Sequence, residues 1–330
     1  MIYIETDSKD AAYHFSVEEY LTRVFRSDEP VLMIWQADKC VMLGNYQVAA
    51  AEVNMGTAQA EGIQIVRRSS GGGTIFTDLG TLLYTVIMPF NKDRDPLKIA
   101  RETVAAMIVK ALGKMGVPAS QEGRNDILVD GKKVSGLAQY TRRDRLCTHG
   151  SLLYNTDLDM LVRALNVDEG KILSKAIRSV RSRVTNISQY MDNPPDTGGF
   201  QDLLKQKLFE DLDIREYVLN ADELTEINRI YHDRYGNSSW TVENTPKFSF
   251  HNSERFPGGK AEVFLDISKG IIDSCSIRGD FLGTTPIRGL EEQLEKKAFE
   301  YDVILETLDR IALEPYLGSI TKAQLLSCLF

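Results

Sequence analysis

Arg67-Arg68-Ser69-Ser70-Gly71-Gly72-Gly73-Thr74-Ile75-Phe76 is the stretch on which the reading of this chain turns. Apolar residues lead into it (Ile63, Ile65, Val66), and beyond it they resume with β-like composition from Leu82 to Ile87. Three glycines between two strands are entropically costly, so folding stability alone does not account for them. They suit a backbone that passes close to a ligand, with N–H groups offered to anionic oxygen and guanidinium groups nearby to neutralise charge. A loose hairpin turn is the competing reading, and this segment by itself does not separate the two.

Working outward, residues 123–138 (Gly123-Arg124-Asn125-Asp126 through Lys133-Val134-Ser135-Gly136-Leu137-Ala138) read as strand, tight turn, strand. Ile127, Leu128 and Val129 form the first arm, Asp130-Gly131 is a two-residue hairpin signal, and the return begins at Lys133. Alternation along a strand sends Lys132 and Lys133 to opposite faces. A lysine just past the turn, followed by Ser135-Gly136, lets an ammonium reach over a surface where only small side chains stand in the way. His149-Gly150-Ser151-Leu152-Leu153-Tyr154 reads as a further strand opened by a His-Gly pair.

In this order and at these separations, the segments resemble the lipoate-protein ligases, a family grouped with biotin-protein ligases and lipoyl/octanoyl transferases. The motifs are Arg67-Arg68-x-Ser70-Gly71-Gly72-Gly73, Gly123-Arg124-Asn125-Asp126, Lys133-x-Ser135-Gly136-x-Ala138 and His149-Gly150-x-Leu152-Leu153. Residues 15–20 and 179–187 agree as well, and the likeness extends into a C-terminal segment typical of two-domain bacterial members.

The resemblance implies a two-step reaction. Lipoate and ATP give lipoyl-AMP and pyrophosphate; a carrier lysine then attacks the mixed anhydride and expels AMP. The implied carriers are the lipoyl domain of a 2-oxoacid dehydrogenase E2 component or the glycine cleavage H protein. It further implies that Lys133 bridges the lipoyl carbonyl and the α-phosphate, against the alternative of a solvated hairpin lysine. Arg68, Ser70, Gly71, Gly72, Gly73, Thr77, Ser135, Gly136, Ala138 and His149 would contact lipoate or lipoyl-AMP. Phe76, Asp78 and Asn125, with Lys133, would contact the nucleotide. Asp126 would hold Mg2+, since magnesium favours one or two carboxylates plus phosphate oxygens; turn capping is the alternative for Asn125-Asp126. Trp35 and Leu43 are candidates for an acyl-pocket wall or for ordinary core. ATP and Mg2+ are the implied co-reactants, with no permanently bound cofactor.

The chain departs from the family pattern at Thr77, Thr81 and Tyr140, which bears on substrate preference more than on reaction type. Two basic clusters, Arg142/Arg143/Arg145 and Lys171/Lys175/Arg178/Arg181/Arg183, are candidates for docking an acidic carrier or are solvated faces. An octanoyl transferase working through a cysteine thioester is an alternative, because Cys147 lies two residues before His149. Against it, Gln121-Glu122-Gly123-Arg124 has no cysteine where one transferase group carries its nucleophile. A non-catalytic lipoyl-domain-binding paralogue is a third reading. Biotin ligation lacks its G-R-G-R-x-G-R-x loop here.

Composition bounds the rest. The chain has 330 residues, 43% hydrophobic and 26% charged, which suits an ordinary soluble protein. A net charge of −8 argues against bulk nucleic-acid binding. Four scattered cysteines, no basic apolar leader and no apolar run of spanning length point to a cytoplasmic protein. The sequence contains no P-loop. Helical spacing falls over residues 13–26, 97–115, 158–165, 200–210, 222–235, 289–298 and 301–313, and strands over 31–35, 40–43, 261–267 and 271–277. The expected architecture is α+β: a large catalytic domain over 1–245 with a mixed β-sheet flanked by helices, and a small accessory α+β domain over 246–330. A Pro-containing linker at 241–248 would join them.

Overall fold

The computed structural model describes residues 1–91, 93–123, 125–165, 182–241 and 248–330. Arg124, the basic residues Lys171, Lys175, Arg178 and Arg181, the motif residues Ser179 and Val180, and linker residues 242–247 lie outside the described residues. The chain divides into two compact units: residues 1–42, 53–66 and 75–237, and residues 43–52, 67–74 and 238–330.

The first unit is built on a mixed eight-stranded sheet. Its strands are β1 (Ile2–Tyr3), β2 (Val31–Trp35), β6 (Thr81–Pro89), β7 (Ala119–Glu122), β8 (Asp126–Val129), β9 (Lys132–Arg142), β10 (Arg145–Leu153) and β11 (Arg215–Glu216), in the order β11-β1-β2-β6-β10-β9-β8-β7. The pairings β1–β11 and β1–β2 are parallel, and the others are antiparallel. A smaller sheet joins β3 (Cys40–Leu43), β4 (Gln64–Arg67) and β5 (Ile75–Thr77) in the order β4-β3-β5. The Asp130-Gly131 signal is realised as a two-residue hairpin, with φ of +48° and +71° at its corners, the geometry that matches strand twist.

One face of the large sheet supplies Leu32, Ile34, Leu82, Tyr84 and Val86 to the main core. The helical run 96–114 meets it with Val104, Ile108 and Leu112, and the helix Thr197–Phe209 with Phe200, Leu204 and Leu208. Each such side chain contributes about 1.5–3 kcal/mol on burial. The expected single helix over 97–115 contains a π-helical segment, Ala100–Ala105, between its α-helical ends. The opposite face is covered by α1 (Ala11–Arg23), which starts at Asp10 because that carboxylate accepts from the Ala12 N–H at 2.8 Å.

In the second unit, β12 (Phe250–Phe256), β13 (Gly259–Ser268) and β14 (Ile271–Gly279) form an antiparallel sheet. Lys269 and Gly270 make the β13–β14 hairpin with φ of +50° and +77°. Helices Arg288–Leu294 and Tyr301–Asp309 pack their apolar residues onto it through Leu290, Leu294, Ile304 and Leu308. Strand β12 and the last helices, Glu314–Leu317 and Lys322–Leu329, are additions to the sequence reading. Among the described residues, no helix is long and apolar enough to cross a membrane.

Candidate active site

Asp126, the first residue of β8, pairs directly with Gly136 of β9, so the two share a face. The next β9 residue on that face, Ala138, pairs with His149 of β10. Lys133 is three residues before Gly136 and in a regular strand would point away from it. It does not, because β9 carries one extra residue here: Ile127 faces Ser135 while its neighbour Leu128 faces Lys133. This bulge reverses the parity and turns Lys133 towards Gly136 and Asp126. Its Nζ lies 2.7 Å from Asp126 Oδ1, with both side chains a little over one-third exposed. A Cβ on Gly136 would fall 2.8 Å from that Nζ, so the glycine leaves the space the lysine crosses.

Ser135 belongs to the other face, where its hydroxyl lies 3.2 Å from that of the buried Tyr84. Asn125 is committed to the turn that opens β8. Its Nδ2 donates to Leu137 O at 2.6 Å, and its own carbonyl accepts from the Leu137 N–H at 2.8 Å. Asn125 and Asp126 also border a shallow recess together with Leu97, Arg101 and Gln139. Asp126 offers a single half-buried carboxylate, which fits a magnesium ion held mainly by phosphate oxygens and water.

His149 is buried, and its Nδ1 lies 2.9 Å from Glu18 Oε2 on α1. Thr85 donates to the same carboxylate oxygen at 3.0 Å and accepts from Trp35 Nε1 at 3.2 Å. Tyr140 stands across from Cys147, with its ring centroid 6.4 Å from that of His149. Glu18, Cys147 and His149 bring ligand atoms within 4.8 Å of one another. The sequence could not reveal this cluster, because Glu18 is some 130 residues from its partner. The Cys147 thiol is fully buried, and burial, with Glu18 adding to it, pushes its pKa well above the usual thiol range. It is therefore a poor nucleophile, contrary to the thioester alternative.

Thr77 and Phe76 lie buried in β5, paired with Cys40 and Val41, and the Thr77 hydroxyl makes no hydrogen bond among the described residues. Asp78 holds the following turn: Oδ1 accepts from the Gly80 N–H and Oδ2 from the Asp157 N–H, each at 2.9 Å. Thr81 bonds Thr156 through their hydroxyls at 2.8 Å. Of the basic cluster at the β9–β10 turn, Arg142 and Arg143 are exposed, but Arg145 is buried and donates to Ser27 O. Arg145 is therefore not presented to a partner.

The glycine loop lies in the second unit. Arg68, 5% exposed, folds it from within, donating to Ser70 Oγ at 3.0 Å, Gly71 O at 2.9 Å and Gly73 O at 2.8 Å. Gly72 has φ of +90°, and its N–H donates to Phe281 O at 3.1 Å. A Cβ on Gly71 would fall 2.5 Å from that same carbonyl oxygen. Two of the glycines thus answer to backbone packing within their own unit. Arg67 is 1% exposed and donates to five carbonyls, those of Gly44, Asn45, Gln47, Trp240 and Thr241, at 2.6–3.2 Å. Burial, with a smaller contribution from Arg278, lowers its pKa to about 10.

Comparison with known proteins shows the family to which the chain belongs. Residues 10–209 match the family model for the lipoyl protein ligase A/B catalytic domain, and residues 245–329 that for the bacterial lipoate protein ligase C-terminus. The chain therefore belongs to the lipoate-protein ligase family, and it is an enzyme of that ligase class. Lipoate-protein ligase LplJ of Bacillus subtilis is 34% identical over 334 residues, covering all of both chains. A crystal structure of lipoate-protein ligase A bound with ATP is 27% identical with a TM-score of 0.62, covering 72% of this chain and 96% of that one. A bipartite archaeal lipoate protein ligase, studied with its E2 lipoyl domain from Thermoplasma acidophilum, is 28% identical with a TM-score of 0.66, covering 76% and 98%.

Proposed function

We propose that this protein activates lipoate with ATP to lipoyl-AMP and transfers the lipoyl group to a lysine of an E2 lipoyl domain or a glycine cleavage H protein. The observation that carries this reading is the Lys133 ammonium laid over Gly136 beside Asp126, on the face shared by Ala138 and His149. Adenylation brings a carboxylate anion onto an α-phosphate that is itself anionic. A cation fixed where the two charges meet lowers that barrier by position and by field.

In this reading Lys133 touches both reacting groups. Thr77, Gly136, Ala138 and His149 belong to the acyl site, and Phe76, Asp78 and Asn125 border the nucleotide; in the second unit, Arg68, Ser70 and Gly71–Gly73 are proposed to bind lipoate or lipoyl-AMP. Asp126 would hold magnesium, which would neutralise phosphate charge when bound. A catalytic domain over 1–245, an accessory domain over 246–330 and a cytoplasmic location complete the proposal; the four cysteines, all free thiols, are consistent with a reducing compartment.

Incubation with lipoate, Mg-ATP and an apo lipoyl domain tests it, read by the mass of the domain. A lipoyl adduct that requires ATP supports the reading. A carrier left unmodified while AMP is still formed would put the partner assignment wrong.

A further inference from the structure

We propose that Asp126 is the positioning residue for Lys133, and that residue 136 is glycine because the lysine side chain must lie across it. This rests on the reading of Lys133 as the group that meets both substrates.

The backbone of Lys133 is fixed on the side away from β8: its N–H donates to Arg183 O at 2.7 Å, and its carbonyl accepts from the Thr185 N–H at 3.0 Å. The bulge then sends the side chain over Gly136, where a Cβ would sit 2.9 Å from Cε and 2.8 Å from Nζ. The chain ends against Asp126 Oδ1, itself 3.8 Å from the position of that Cβ. A lysine has more rotamer freedom to lose than almost any other side chain. A fixed start, a channel that only glycine leaves open and a carboxylate at the far end remove that freedom before substrate arrives. Asp126 would thus act through Lys133, apart from any contact with a cation.

Gly136→Ala separates the two roles, because it displaces the ammonium and leaves the carboxylate in place. The atoms it meets are the far end of a flexible side chain, so the variant should fold, as a thermal melt would verify. Lipoate-dependent pyrophosphate exchange should fall about 100-fold in kcat, the scale of a misplacement near 1 Å, with KM for ATP little changed. Asp126→Asn should lose exchange similarly and regain little in excess magnesium. In metal-free, nucleotide-free protein, 15N relaxation of the Lys133 ammonium should show order in the wild type that both variants lose. Combining Gly136→Ala with Lys133→Ala should cost nothing beyond Lys133→Ala alone.

Exchange by Gly136→Ala at the wild-type rate would overturn the proposal, as would an Asp126→Asn defect that magnesium cures while the ammonium stays ordered. Absence of exchange in the wild type would instead sink the ligase reading, and the relaxation measurement would still decide the positioning.

Discussion

His149 Nδ1 and Glu18 Oε2, 2.9 Å apart and both buried, tie the strand β10 to the helix α1. Thr85 donates to the same carboxylate oxygen, so this one group serves two elements of the sheet. Removing one member of a buried pair leaves the other uncompensated. Glu18→Ala should destabilise the first unit by about 3 kcal/mol, and Glu18→Gln by less, since a carboxamide oxygen can still accept. Denaturant melts of the two variants would check this ordering.

Cys147 stands two residues before His149, yet its thiol is buried and held protonated. Cys147→Ser should therefore keep adenylation within roughly 3-fold of the wild type. Iodoacetamide should leave Cys147 unlabelled in the folded protein, as peptide mass mapping would detect.

His14 supplies a pH dependence. Burial pulls its pKa down to about 4, against a Ser8 carbonyl bond and Asp10 that pull the other way. Its Nε2 lies 2.8 Å from Ser8 O, and its ring stacks on Trp35 with centroids 4.3 Å apart. In the unfolded chain the imidazole takes up a proton near pH 6.5, while the folded one resists until about pH 4. The unfolded state thus binds more protons between these values, and stability falls as pH drops through that window, by up to about 3 kcal/mol. Urea midpoints from pH 7 to 4 should show the loss, and His14→Gln should flatten it.

Arg67 is a structural counterpart to its neighbour Arg68. Five carbonyls accept from its guanidinium, from segments as far apart as Gly44 and Thr241. Arg67→Met would leave several buried acceptors without a donor and should cost the second unit about 3 kcal/mol or more. Arg67→Lys should recover only part of it, because an ammonium cannot span the same fork. A downward shift in thermal midpoint for both, larger for Met, is the expected result.

Local signals in the chain carried much of the fold. The Asp130-Gly131 and Lys269-Gly270 turns fix two hairpins because both corners need positive φ. The apolar spacing of residues 97–115 locates that helical run, though no residue in it signals the π segment Ala100–Ala105. The active-site pattern was legible as an ordered set of motifs but not as geometry. Strand alternation does not foresee the bulge at Val134, so the laying of the Lys133 side chain over Gly136 and the turning away of Ser135 are visible only in the register. Gly71 and Gly72 also answer to close packing against Phe281, which no local signal announces because it lies some 210 residues further along the chain. Arg67 and Glu18 share this reason: their partners come from distant segments that carry no local mark.

The most direct measurement is lipoate-dependent exchange of pyrophosphate into ATP, in the wild type and in Lys133→Ala at saturating magnesium. Exchange in the wild type that falls by roughly 1,000-fold in the variant is the predicted result, the scale of losing a preorganised charge at the reacting centre. Equal exchange in the two proteins, or none in the wild type, would contradict the assignment of adenylation to this site.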